Sequence, residues 1–208
     1  MTPRRSEQKQ ATRDQIRDAA RARFVAVGYD RTTIRDVAKA AGVAVGSVHV
    51  HFRDKRALLF ACFYEGIRRA VATIWTTLDR QMPLVDQLVH CGRVLYRAYL
   101  EHPALSRVMV REGLFPAADE GDDNLLPFLE AVAELHREAR RRGELERLPA
   151  DGALAARAFF AAYMAVLIAG LGGRYGASDD PEAAASRWGD DLRALVELQL
   201  RGVGLRPA

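Results

Sequence analysis

The residues most able to do chemistry cluster in "VGSVHVHFRDK", residues 45–55. His49 and His51 stand two apart and alternate with Val48, Val50 and Phe52. On a β-strand this H-x-H spacing puts both imidazoles on one face, where they could share a metal ion. On an α-helix the same two positions lie about 200° apart and cannot reach one ion. Other reactive groups are sparse. Cys62 and Cys91 lie far apart in no metal-binding spacing and read as buried thiols of a reducing compartment, a redox switch being the lesser alternative. "GLGGRYG", residues 170–176, departs from G-x-G-x-x-G, because Tyr175 stands where the third glycine belongs. The chain has no G-x-S-x-G, H-E-x-x-H or C-x-x-C. The expectation is a protein that is not an enzyme and carries no cofactor and no metal.

The elements that must position these residues read almost entirely as helix. Thr12 with Gln15 makes a capping box for a first helix whose stripe is Ile16, Ala20, Phe24 and Val27, stopped by Gly28. Thr33 with Asp36 caps a short second helix ending near Ala41, and Gly42 turns the chain. Asp54 can cap a long helix from Lys55 to about Leu78. Pro83 and Pro103 open two further helices, reaching His102 and Gly113. After an acidic loop, residues 116–124, helices are expected from Leu125 to Arg142, from an Asp151 cap to about Gly170, and from Pro181 (capped by Asp180) to Gly202. The fold class is all-α, with about nine helices. A lone strand at 45–52 would have no partner for its backbone groups, so context argues against the metal-binding reading.

Residues 33–52 then read as helix, tight turn, helix. Ala38 is small where two helices cross, Gly42 permits a positive φ, and Val43 and Val48 fill the angle between the helices. Winding residues 44–52 at 100° per residue turns Ala44, Val48, His51 and Phe52 inward and Gly46, His49 and Val50 outward. The outer face is small and mostly apolar. It suits thymine methyl groups, with Ser47 and His49 able to hydrogen-bond. Arg53, Lys55 and Arg56 follow where phosphates are expected, and Thr33 and Arg35 begin the preceding helix. Charge agrees: residues 1–60 hold 13 Lys and Arg against 6 Asp and Glu, whereas the other 148 hold 18 against 21. A basic quarter on a slightly acidic body implies a polyanionic partner for the first part alone, although such an excess also simply solvates helix faces.

The stretch "RFVAVGYDRTTIRDVAKAAGVAVGSVHVHFRDKRALLFA" resembles the N-terminal domain of TetR-family (tetracycline-repressor-like) transcriptional regulators. The resemblance covers about residues 12–62 and rests on the G-Y-x-x-T-T-I-R-D-V-A link, A-G-V-x-x-G-S, the aromatic "HVHF" and the following K-x-x-L. It implies base contacts at Val45, Gly46 and His49 and phosphate contacts at Thr33, Ser47, His51 and Lys55. With Arg35 and Val50, added from the helical reading, these make up the expected DNA-binding set. Two departures, His49 where tyrosine is usual and Val45 where a polar or basic residue is frequent, imply a different operator.

The resemblance implies a flexible basic arm (1–11), a helix-turn-helix domain (12–56) and a helical ligand-binding and dimerisation domain (57–208). The implied partners are double-stranded DNA with a palindromic operator, a second copy of the chain, and an unknown, fairly apolar small-molecule effector that releases the repressor. The alternative is a helix-turn-helix activator or architectural protein without an effector. Candidate pocket residues are Trp75, His90, Tyr96, Tyr99, Met109, Phe128, Phe159 and Tyr163, with Phe160, Met164, Arg93 and His136 nearby in type; for each taken singly, ordinary core packing is the stronger reading. Ala153–Gly170 and Pro181–Gly202 are the candidate dimer seam, with a monomer core helix as the alternative reading of the first. Its uncharged run, Ala158–Gly173, is 16 residues, short of the roughly 20 that a bilayer needs. With no apolar leader in "MTPRRSEQKQ", the expected location is cytoplasmic, away from any membrane.

Overall fold

A computed structural model describes residues 3–113, 125–176 and 180–202. Among these residues there are nine α-helices and no strand: α1 (Pro3–Val27), α2 (Ile34–Ala41), α3 (Val45–His51), α4 (Lys55–Thr77), α5 (Leu84–Leu100), α6 (Pro103–Gly113), α7 (Leu125–Arg141), α8 (Ala153–Leu171) and α9 (Pro181–Arg201). A single 3-10 turn, Pro149–Gly152, precedes α8. The acidic stretch 116–124 falls outside the described residues.

The chain forms two compact units. The first holds the residues up to Gly66 together with α6; the second holds the rest of α4 with α5, α7, α8 and α9. In the first, Ile16, Ala20 and Phe24 of α1, Val37, Ala38 and Ala41 of α2, Val48 of α3, Phe52, and Leu58, Leu59 and Cys62 of α4 bury one another. Each large side chain buried this way contributes roughly 1.5–3 kcal/mol. In the second unit α5 packs along α9, and α8 packs between α9 and α7. The helices come close because glycines stand at the crossings. A Cβ on Gly92 of α5 would meet the Leu192 side chain of α9, and one on Gly170 of α8 would fall on the Trp188 indole.

Three local expectations are corrected. Helix α1 starts at Pro3, not Thr12, so residues 3–11 are helical rather than a flexible arm. The Thr12 hydroxyl donates back to the Gln8 carbonyl, at 3.0 Å, inside the helix instead of capping it. The stretch Ser6–Ala11 consists of good helix formers after a proline in the first turn, which propagates the helix upstream of the apolar stripe. Asp151 does not cap α8: it sits at φ 52° in the 3-10 turn, and Gly152, at φ 86°, is the N-cap with no side-chain bond. Ala44 is exposed, because it is the extended N-cap of α3 and not a turn of it.

Helix α8 has the length and composition of a membrane span, with a mean hydropathy of 1.9 over its best window. Its Ala156, Phe159, Ala162, Tyr163, Val166, Leu167 and Leu171 are buried in the second unit, whereas Leu154 and Ile168 are exposed. Burial of one face accounts for the missing charges there.

Candidate nucleic-acid interface

The turn between α2 and α3 is built as the spacing predicts. Thr33 caps α2 reciprocally: its hydroxyl accepts from the Asp36 N–H at 3.2 Å, and the Thr33 N–H donates to the Asp36 carboxylate at 2.9 Å. The Thr33 hydroxyl proton is given to the same carboxylate at 2.7 Å. These bonds, the hydroxyl's first, hold Asp36 below the usual carboxylate range. Gly42 takes φ 65°, and its N–H and that of Val43 return to the carbonyls of Lys39 and Ala38. Gln15 of α1 donates to the last carbonyl of α2, Ala41, at 2.8 Å.

Helix α3 is seated by its inward residues. Val48 is fully buried and Phe52 nearly so. Arg13 of α1 stacks its guanidinium 4.6 Å over the Phe52 ring and donates to the His51 carbonyl at 2.8 Å, which closes the C-terminal end of α3. The valines of this stretch are therefore helical because tertiary packing outweighs their strand preference. His49 is exposed and His51 half-buried. Among the described residues no group of three or more His, Cys, Asp or Glu could hold a metal.

What remains outward on α3 is Val45, Gly46, His49 and Val50, with Ser47 half-buried on the flank. Val50 is 72% exposed and Val45 39%. Arg35 and Lys39 are exposed on α2, and Arg53 is exposed beyond α3. Lys55 is different. Its ammonium donates to the Tyr29 and Thr32 carbonyls at 3.1 and 3.2 Å and sits 4.3 Å over the Tyr29 ring. It thus fastens the start of α4 to the turn between α1 and α2, using two of its three protons. Arg13, engaged on α3 in the same way, was not among the sequence-predicted site residues. Its signal was faint: an arginine one turn before the apolar stripe of α1.

The expected pocket residues divide between the units. In the second, Trp75 lies 6.3 Å from Phe128, and His90 shares a 2.9 Å hydrogen bond with Thr77. Tyr96 and Tyr163 stack at 5.0 Å, the Tyr96 hydroxyl donates to the Tyr163 carbonyl at 3.1 Å, and Phe159 is 6.5 Å from Tyr163. Burial pushes both tyrosine hydroxyls well above their ordinary range. Tyr99 is buried on the same helix as Tyr96. Trp188 of α9 packs edge-on to Tyr96 at 5.4 Å. Met109 belongs to the first unit, on α6. His136, buried on α7, donates from Nδ1 to the Val132 carbonyl at 2.9 Å, and burial lowers its pKa.

Residues 16–62 match the family model described as bacterial regulatory proteins, tetR family. No curated protein matches the chain. Solved structures similar to it include FadR of Thermus thermophilus, a TetR-family repressor in complex with lauroyl-CoA, at 23% identity and a TM-score of 0.71, covering 94% of this chain and 97% of that one. A TetR-family regulator from Pectobacterium atrosepticum aligns at 22% identity and 0.69, covering 97% and 98%. One from Rhodococcus RHA1 aligns at 24% identity and 0.62, covering 94% and 98%. These similarities establish a shared fold along nearly the whole chain. The family match covers residues 16–62, the helix-turn-helix with the end of α1 and the start of α4, and that stretch is similar to the DNA-binding part of tetR-family regulators.

Proposed function

We propose that the protein is a dimeric, non-catalytic, cytoplasmic repressor that binds a palindromic operator through α3 and leaves it when a small, fairly apolar effector binds. The observation that carries this reading is the division of α3. Val48 and Phe52 are spent on seating it, while Val45, Gly46, His49 and Val50 face outward with the cations of Arg35, Lys39 and Arg53 nearby in the chain. Val45, Gly46, His49 and Val50 are the base-facing set. Arg35, Ser47 and His51 face phosphates, as does the remaining Lys55 proton; Thr33, expected there too, instead gives its hydroxyl proton and N–H to Asp36. The DNA-binding part is residues 12–56, and 57–208 carry the effector and the dimer contacts.

Two readings concern the second unit. Exposed Leu154 and Ile168 on α8 and Leu198 on α9 support these helices as the seam between two copies. Two copies would set their recognition helices about 34–36 Å apart on DNA. The aromatic set Trp75, Tyr96, Tyr99, Phe128, Phe159 and Tyr163, with His90, supports an apolar effector. The similar Thermus thermophilus FadR binds lauroyl-CoA, whose acyl chain is apolar although its CoA part is polyanionic. Helix α4 contributes residues to both units, so a population shift along it is the proposed route of release.

The test is selection of bound duplexes from a random-sequence pool with the full-length protein, followed by titration of the winner. A palindrome bound with a steep salt dependence is expected. His49→Ala should alter which base pairs are preferred while the dimer persists. Equal affinity for every sequence would overturn the reading.

A further inference from the structure

Gly46 has no internal reason to be glycine. It lies in α3 without a positive φ, and a Cβ added there would meet nothing within 4 Å. Glycine in a helix is less favourable than alanine, so the protein tolerates a weaker α3 while gaining no packing. What Gly46 provides is clearance on the outer surface. Val45 precedes it and Val50 lies four residues on, so that at 100° per residue the two valines stand about 140° apart, at the two edges of the outer face. The two exposed valines flank the bare backbone of Gly46 and the exposed His49, with exposed Arg35 and Lys39 on the preceding helix and exposed Arg53, ion-paired with Asp54, just after it. A cationic surround excludes a second apolar, positively charged surface and fits a polyanion that carries small apolar bumps.

Resting on the reading of α3 as a DNA-recognition helix, we propose that Val45 and Val50 read the 5-methyl groups of pyrimidines in the major groove, with Gly46 allowing the approach. The discrimination is then for a methyl group as such rather than for the adenine–thymine pair. Thymine is the only common base that presents a methyl group in that groove, and 5-methylcytosine presents one at the equivalent carbon. Apolar side chains have no hydrogen bond with which to tell those two bases apart.

The test uses the selected operator duplex and four versions of each thymine in a half-site: thymine, uracil, cytosine and 5-methylcytosine. At the methyl-reading positions, thymine to uracil should weaken binding about fourfold per half-site, the weight of one buried methyl group. 5-Methylcytosine should bind more tightly than cytosine by a similar factor. Val50→Ala should shrink both ratios toward one, with an unchanged urea midpoint because the side chain is 72% exposed. Gly46→Ala should leave the midpoint unchanged or raise it and weaken every duplex.

Sequence-specific binding with uracil equal to thymine at every position would overturn the methyl reading and leave the regulator reading intact. Unaltered ratios in Val45→Ala and Val50→Ala would do the same. Absence of any sequence preference would remove the reading on which the proposal rests.

Discussion

Replacing Lys55 with alanine separates two roles that the sequence alone merges. By resemblance its cation meets a phosphate; in the structure it donates to the carbonyls of Tyr29 and Thr32 and covers the Tyr29 ring. A hydrogen bond from a charged donor is worth about 1.5–3 kcal/mol when its partner would otherwise be stranded. Lys55 is half-buried, so water can reach the freed carbonyls, and about 1 kcal/mol for each is the better figure. The ring contact adds about 0.5 kcal/mol at such exposure. Lys55→Ala should therefore cost about 2.5 kcal/mol, close to a seventyfold change in the folding equilibrium. Urea unfolding followed by circular dichroism reads this directly. Hydrogen exchange should localise the loosening to residues 28–33 and the first turn of α4. Operator titrations at several salt concentrations read the other role, because one lost phosphate contact lowers the slope of log K against log salt by about 0.9. An unchanged midpoint together with that fall in slope would refute the reasoning from the carbonyl contacts.

The other predictions concern the body and the caps. Gly152→Ala should destabilise by about 2–4 kcal/mol, because it joins a strained φ of 86° to a Cβ only 2.8 Å from the Ala133 carbonyl oxygen. Gly143→Ala, at φ 81° with nothing within 4 Å, should cost about 1 kcal/mol; equal urea midpoints for the two would contradict the contact. Thr33→Ala should cost about 1 kcal/mol by loss of the cap on α2, and Thr33→Ser should recover most of it in the same assay. Burial lowers the pKa of His136, and of His90 less deeply placed, so the folded state takes up these protons at lower pH than the unfolded chain. That contribution to stability is complete above the unfolded value of about 6.5 and is lost as pH falls from there toward the folded values. Midpoints at pH 7.5 and 5.5 should differ less in His136→Gln than in the parent protein. Burial also pushes the Cys62 and Cys91 thiols up to about 12, so a disulfide reagent at pH 8 should label neither until urea unfolds the chain. Labelling in the folded state would show that one unit opens locally.

How much the sequence reveals differs between the two units, and the difference has a physical cause. In the first unit the decisive interactions are short in sequence. The Thr33–Asp36 box, the left-handed Gly42 and the Val48 seat all fall within residues 33–48, where spacing alone places them. Winding α3 correctly separates exposed His49 from half-buried His51. The misplacements there came from reading the ends of helices: Thr12 and Ala44 each lie where capping chemistry and helical propensity compete. Arg13 was missed, and the fastening role of Lys55 went unseen, because their partners are 23 to 38 residues away.

In the second unit the decisive contacts are nearly all of that long-range kind. Tyr96 finds the Tyr163 carbonyl 67 residues away, and Gly170 is glycine because Trp188 occupies the space where a side chain would go. Periodicity gives the helices but not which faces meet, so aromatic richness alone could not separate a ligand pocket from a packed core. The structure sharpens that choice residue by residue. Tyr96 and Tyr163 hold each other through a stacked pair and an internal hydrogen bond, so an effector reaching them must displace packing already made. Half-buried Trp75 and His90 require a smaller exchange, the contact of Trp75 with Phe128 and the one hydrogen bond of His90 to Thr77. A ligand that binds the second unit without a large loss of packing should therefore engage Trp75 and His90 before the tyrosine pair. Quenching of Trp75 fluorescence in a Trp188→Phe background is the signal to follow across a ligand panel. A ligand that stabilises the protein while leaving that emission untouched would place the effector elsewhere.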